Sequence, residues 1–188
     1  MPTKNYYQII TGAKWIIIIV IVFIGALYLQ ESSTPQAFKT HSSEALQRWM
    51  IKFSIAKAET PKRIPNAIFY NQDGKSISLT KYQGKEIMIV VWATWCGPCR
   101  EEMPYLNTIM PELALQGIEL LPISVDTGGA ADIKKFYNSL DIERLPILFD
   151  SGIDLLEALE IGPIPTIIIV NDKGYELGRR IGKVPGFN

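Results

Sequence analysis

The chain is 188 residues long and 47% hydrophobic, and its 19 basic and 19 acidic side chains leave a formal net charge of zero. With Lys134-Lys135 and Arg179-Arg180 standing as isolated pairs of the kind solvent usually covers, this balance gives no support to nucleic-acid binding. Two cysteines and one histidine are too few for a closed structural zinc site, so no metal is expected; with neither a Gly-x-Gly-x-x-Gly run nor a P-loop, no organic cofactor is expected either.

The first element is apolar. Trp15 to Leu29 carry no charge, and as a helix they would span about 22 Å, short of the roughly 30 Å hydrocarbon layer. Ile9 to Ala13 supply the missing length, with Lys14 snorkelling to the near interface and Trp15 and Tyr28 as interfacial aromatics. Lys4 and Lys14 precede the run and Gln30-Glu31-Ser32-Ser33 follow it, which predicts a cytoplasmic N-terminus and an extracytoplasmic remainder. A cleaved signal peptide is the rival reading. No small-x-small site follows Leu29, however, and Ala56-Lys57-Ala58 stands too far away, so residues 1–30 are read as an uncleaved transmembrane signal-anchor.

Residues 31–65 are mixed and polar, punctuated by Ser32-Ser33-Thr34-Pro35 and Thr60-Pro61, and read as a tether. Within it Leu46, Trp49, Met50, Phe53 and Ala56 recur at helical spacing, predicting an amphipathic helix over 42–58.

Residues 66–188 are enough for one core. The pattern predicts a hairpin (Ile68–Tyr70 and Ile77–Leu79), a strand at Ile87–Trp92, a helix from Gly97, a strand at Ile118–Val125 and a helix at Ala131–Ser139. A short strand at Ile147–Phe149, a helix at Ile153–Leu159 and strands at Thr166–Val170 and Tyr175–Ile181 follow. Asn171-Asp172-Lys173-Gly174 joins the last two strands as a hairpin. Parallel units ending in an antiparallel hairpin indicate an α/β domain with a mixed, helix-covered sheet. Pro104 predicts a kink about two turns into the helix from Gly97, and Pro111 a further shortening or break.

Trp92-Ala93-Thr94-Trp95-Cys96-Gly97-Pro98-Cys99-Arg100 holds both cysteines, at the junction of a buried strand and a helix. The unpaired N–H groups and macrodipole of a helix's first turn favour negative charge, so the first cysteine is the more acidic. Such a thiol titrates anywhere from about 3.5 to 7.5 rather than near 8.5. Cys96 is therefore assigned as nucleophile and Cys99, one turn in, as the resolving thiol. Pro98 suits a turn that does not need its missing N–H, and Gly97 keeps the approach to sulfur open. A purely structural disulfide is disfavoured because the loop closed by this spacing is tiny.

Trp92 to Arg100, followed by Glu101-Glu102-Met103-Pro104, resembles the active-site signature of the TlpA/ResA family, membrane-anchored thioredoxin-like disulfide reductases that include the cytochrome c maturation thioredoxins. The likeness extends over most of residues 64–182, including the Asp73-Gly74-Lys75 turn, Leu79 to Lys85 and Ile164-Pro165-Thr166. It implies a thioredoxin-like fold with a mixed central sheet flanked by helices and an added N-terminal β-hairpin. It also implies a cis Ile164–Pro165 bond beside the cysteines, where flanking backbone pairs with an extended substrate and Trp95 forms the other wall. Cytoplasmic thioredoxins carry a buried aspartate where this chain has Val90; the family's glutamate after the second cysteine maps to Glu102, the implied acid/base group for Cys99. The plain alternative for Glu102 is that it is merely one of two carboxylates favoured in a helix's first turns, which is also the reading of Glu101.

After Ile181 only Gly182-Lys183-Val184-Pro185-Gly186-Phe187-Asn188 remain, so the family's C-terminal helix has no counterpart here. The expectation is that the segment 42–58 covers that face of the sheet, or that a partner does, or that the chain is truncated and less stable. The resemblance implies an extracytoplasmic thiol:disulfide oxidoreductase acting as a reductase on partner proteins, such as the haem-binding cysteine pair of apocytochrome c. Its electrons would come from a transmembrane thiol donor. A disulfide oxidase or isomerase is the alternative, with a copper-binding thioredoxin-like chaperone disfavoured because His41 lies outside the domain.

Overall fold

The computed structural model describes residues 43–150, 152 and 154–186. The expected anchor, and the expected tether as far as residue 42, lie outside them; among the described residues no helix is long and apolar enough to cross a membrane.

Chain order is α1 (Glu44–Lys52), β1 (Ala56–Arg63), β2 (Ile68–Asn71), β3 (Ser76–Ser78), a 3-10 turn (Leu79–Tyr82), β4 (Glu86–Trp92), α2 (Gly97–Leu115), β5 (Ile118–Ser124), α3 (Ala130–Ser139), β6 (Leu148–Phe149), α4 (Asp154–Ala158), β7 (Thr166–Val170) and β8 (Tyr175–Ile181). The strands form one sheet in the order β1-β8-β7-β4-β5-β6-β2-β3. The central pairs β4–β5 and β5–β6 are parallel, and every other pair is antiparallel. This is a mixed α/β sheet of the thioredoxin-like kind, with the β2–β3 hairpin added at one edge.

Because successive strand residues point to opposite faces, β4 builds two cores at once. Met88, Val90 and Trp92 join α1, α2 and α3 on one face. Ile87, Ile89 and Val91 join Phe69, Leu79, Tyr82 and Leu155 on the other. Strand β7 divides the same way, Ile167 and Ile169 against Ile168 and Val170. A strand buried on both faces reads as an unbroken apolar run, which is why β4 and β7 are plain in the sequence.

The N-terminal part of the domain differs from the expectation. The helix expected over 42–58 stops at Lys52: Phe53 caps it, and Ser54 turns the chain at φ 50°. Residues 56–63, expected as tether, form β1 and pair antiparallel with β8, so the sheet begins ahead of residue 66. Their approach is close, since a Cβ on Gly178 would lie 2.2 Å from the Ala56 carbonyl oxygen. The other difference lies in α2, where the shortening or break expected at Pro111 does not occur: the helix runs from Gly97 to Leu115 with Pro104 and Pro111 inside it.

Helix α1 covers the sheet face that the resemblance left open. Leu46, Trp49, Met50 and Phe53 are buried in one cluster with Met103, Leu106, Ile167, Ile169 and Leu177. Ser43 caps the helix through its side chain, and its own N–H and hydroxyl both donate to the Glu86 carboxylate at the start of β4. Trp49 Nε1 donates to Gln116 at the far end of α2, 3.0 Å away.

Phe53 is wholly buried and packs tilted against Trp49 and Tyr105, with ring centroids 5.8 and 6.3 Å away. Phe53→Ala is expected to destabilise the domain by about 3–5 kcal/mol. Urea unfolding checks this: a lowered midpoint with unchanged slope is expected, and a loss below about 1 kcal/mol would remove α1 from the core.

Candidate active site

The site sits where β4 ends and α2 begins. Cys96 is the N-cap of α2: its backbone is extended (φ −84°, ψ 109°), and its Sγ accepts the Cys99 N–H at 3.3 Å. Sulfur thus takes the place an Asp or Ser oxygen usually holds at a helix start. Cys96 and Cys99 are joined as a disulfide, and Cys96 keeps 6% of its surface against 1% for Cys99. The sulfur open to attack, and stabilised as an anion on reduction, is therefore that of Cys96. Gly97 and Pro98 occupy the first turn and are exposed; a Cβ at Gly97 would meet open space.

Three features hold the loop that presents Cys96. The buried Asp126 carboxylate, just past β5, accepts the Thr94 N–H at 2.8 Å, the Thr94 hydroxyl at 2.6 Å and the Ser124 hydroxyl at 2.5 Å. Arg100 donates to the Thr94 carbonyl at 3.0 Å while its guanidinium lies 4.9 Å above the Phe136 ring. Trp92 stacks on Tyr137 with rings 5.8 Å apart and 5° from parallel. Sequence reasoning misses Asp126; its only signal there is a carboxylate closely following an apolar strand that parallels β4.

The Ile164–Pro165 peptide bond is cis and brings the Ile164 carbonyl to 3.8 Å from Cys96 Sγ. A disulfide sulfur carries no proton, so this is a van der Waals contact until reduction makes Cys96 a thiol. Trp95, next to Cys96 in the chain, is 69% exposed. Trp95, Cys96, Gly97, Pro98, Cys99, Ile164 and Pro165 are therefore gathered at one end of the sheet.

Glu102 stands one helical turn beyond Cys99 and is 2% exposed, so it is not a solvated carboxylate. Glu101 beside it is exposed and pairs with Lys183. Glu102 Oε1 accepts the Val184 N–H at 2.5 Å. Burial pushes the Glu102 carboxyl above the ordinary 4.5, and Glu101 adds to this; the Val184 N–H, Arg180 and Lys183 pull the other way. Among the described residues no group of three or more His, Cys, Asp or Glu is placed to hold a metal ion.

Residues 60–175 match the AhpC/TSA family. Over 127 residues the chain is 31% identical to the thiol-disulfide oxidoreductase ResA of a Bacillus cereus strain, covering 68% of this chain and 72% of that protein. Among solved structures, the exposed lipoprotein thioredoxin Etrx1 of Streptococcus pneumoniae is similar at 27% identity with a TM-score of 0.54, over 63% of this chain and 90% of that one. A putative thiol:disulfide interchange protein DsbE of Chlorobium tepidum shares the fold at 22% identity, with a TM-score of 0.60 over 68% of this chain and 88% of that one.

A folded-state value raised above the unfolded one means the native chain binds the Glu102 proton more tightly. Stability from this group is then full at low pH and lost as pH rises from about 4.5 through the folded value. Glu102→Gln cannot ionise, so its stability relative to the parent is expected to improve from about pH 4 to about pH 8. Thermal unfolding at both pH values checks this, and a difference that stays constant would contradict it.

Proposed function

The chain belongs to the AhpC/TSA family and is a thiol-disulfide oxidoreductase of the ResA type; from that premise we propose that it works as a membrane-anchored reductase outside the cytoplasm. The observation that carries the reading is Cys96 as the N-cap of α2, its sulfur accepting the Cys99 N–H and the residue less buried than Cys99. In the reduced state the Cys96 thiolate attacks a partner disulfide. A bond forms between Cys96 and one partner sulfur, and the other partner sulfur leaves with the bonding pair and takes a proton.

Cys99 then gives its proton to Glu102 and attacks the Cys96 sulfur, closing the intramolecular disulfide and releasing the second partner thiolate. Two electrons pass from the cysteine pair to the partner, so the pair itself carries the electrons. Trp95 and the Ile164–Pro165 backbone form the walls for an extended partner segment. The Gly97-Pro98 dipeptide matches that of thioredoxin, a strong reductant near about −270 mV, which supports the direction.

The apolar run Trp15 to Leu29 supports anchoring with the domain on the outer side. There thiols tend to be oxidised, so the cycle needs electrons from a transmembrane thiol donor. The haem-binding cysteine pair of apocytochrome c is the proposed partner disulfide.

Cys99→Ser is expected to accumulate a mixed disulfide on Cys96 when mixed with an oxidised apocytochrome c peptide, and Cys96→Ser none. The equilibrium potential of the pair against glutathione is expected below roughly −220 mV. A value near about −120 mV would reverse the direction to oxidation, and failure to trap the peptide would remove this partner.

A further inference from the structure

Beyond β8 the chain does not leave the site. Gly182, at φ 84°, turns it away from the end of β8 while its N–H donates to the Pro165 carbonyl at 2.8 Å. The following peptide group, Lys183–Val184, lies between two charges. On its oxygen side Arg180 Nε and Nη2 donate to the Lys183 carbonyl at 3.2 and 2.7 Å. On its nitrogen side the Val184 N–H donates to Glu102 Oε1 at 2.5 Å. The third arm of the guanidinium, Nη1, donates to the Ser54 carbonyl at 3.1 Å, just past α1. Val184 is fully buried in the core that holds Cys96 and Cys99, and Lys183 pairs with Glu101.

A peptide group is one conjugated unit, so a cation at its oxygen draws charge from its nitrogen and makes the N–H a better donor. Hydrogen bonds in such a chain strengthen one another, and a carboxylate accepting a strong N–H bond releases its proton more readily. Burial works in the opposite sense: a carboxyl this enclosed, with no compensating donor, would stay protonated and take no proton from a thiol. The charged groups that face Glu102 are Arg180 from β8, Lys183 from the segment after it, and Glu101 from its own helix.

We propose that Arg180, acting through the Lys183–Val184 peptide, is a positioning residue that holds the Glu102 carboxylate ready to accept the Cys99 proton. The proposal rests on the reading of Glu102 as the proton acceptor. It concerns the second half of the cycle: the Cys99 S–H proton goes to Glu102, the freed sulfur pair forms the Cys96–Cys99 bond, and the Cys96–partner bond breaks. The partner sulfur then leaves as a thiolate. The arrangement also gives the Arg180 side chain a place in the site, where the sequence suggests only a solvated pair.

The test is single-turnover oxidation of the reduced full-length chain by dithiobisnitrobenzoate. One coloured thiolate is released when Cys96 attacks, and a second when Cys99 resolves the mixed disulfide. The rate of the second release, followed against pH, has a rising limb whose midpoint belongs to the coupled Glu102–Cys99 pair. Arg180→Met removes the cation and its donors but keeps the aliphatic stem. Val184→Pro removes the N–H and also exchanges the buried isopropyl group for a ring. Both are expected to move the limb to higher pH, slowing the second release about three- to tenfold at a pH on the limb, with recovery at higher pH. In a Glu102→Gln background Arg180→Met is expected to add nothing.

Loss of packing alone would not move the midpoint. An unmoved limb in Arg180→Met, with Glu102→Gln altering the profile, would overturn the proposal and leave the Glu102 reading standing. The same slowing in the Glu102→Gln background would overturn it as well, by placing the action of Arg180 elsewhere. A Glu102→Gln profile identical to the parent's would remove the Glu102 reading and the proposal with it. Arg180→Met keeps every backbone donor, so it decides the question should Val184→Pro fail to fold.

Discussion

One hydrogen bond organises this end of the molecule: the Cys99 N–H given to Cys96 Sγ at the first turn of α2. It asks that Cys96 keep an extended backbone while the next residue enters the helix, and that the helix point its unsatisfied donors at the sulfur. Everything around it serves that geometry. Strand β4 delivers the chain to the junction, Asp126 pins Thr94 on the approach, and Arg100 ties the Thr94 carbonyl back from the helix side. The cis Ile164–Pro165 segment closes the far side against Cys96. A thiolate placed there gains from both the donor and the macrodipole, whereas Cys99, third in the helix, is the more deeply buried of the two.

The direction of α2 is fixed by packing well away from the sulfur. Met103, Leu106, Ile109 and Leu113 bury one side of the helix, and α1 lies in the same cluster through Leu46, Trp49, Met50 and Phe53. Helix α1 is itself held at both ends, by Ser43 on Glu86 and by Trp49 on Gln116. The segment after β8 adds a last contact, its Val184 side chain buried in the same core and its backbone on Glu102. Helix, sheet and terminal segment therefore converge on the turn of α2 that follows Cys99.

Much of this was legible because it is written in side chains. Strands β4 and β7 are apolar on both faces, the Asn171-Asp172-Lys173-Gly174 turn announces β7–β8, and the cysteine spacing marks the strand-to-helix junction. What escaped is written in backbone or in long-range pairing. Strand β1 reads Ala-Lys-Ala-Glu-Thr-Pro-Lys-Arg, with no buried residue; an edge strand that buries no side chain leaves no period-2 signature. The end of α1 at Lys52 depends on Phe53 and Ser54 adopting non-helical angles, which apolar spacing does not reveal. Asp126 acts on Thr94, and Arg180 on a peptide beside Glu102, and neither pairing has a local pattern in the chain. Helix α2 passes Pro111 because tertiary burial of Ile109 and Leu113 holds the turns on either side of it.

The most direct test of the N-cap account is the rate at which iodoacetamide alkylates the reduced full-length chain as a function of pH, with the modified residue identified by peptide mass. The account predicts that Cys96 reacts first, with a midpoint inside the range of about 3.5 to 7.5, and that Cys99 stays protected. A midpoint near the free-thiol value of about 8.5, or Cys99 modified ahead of Cys96, would contradict it.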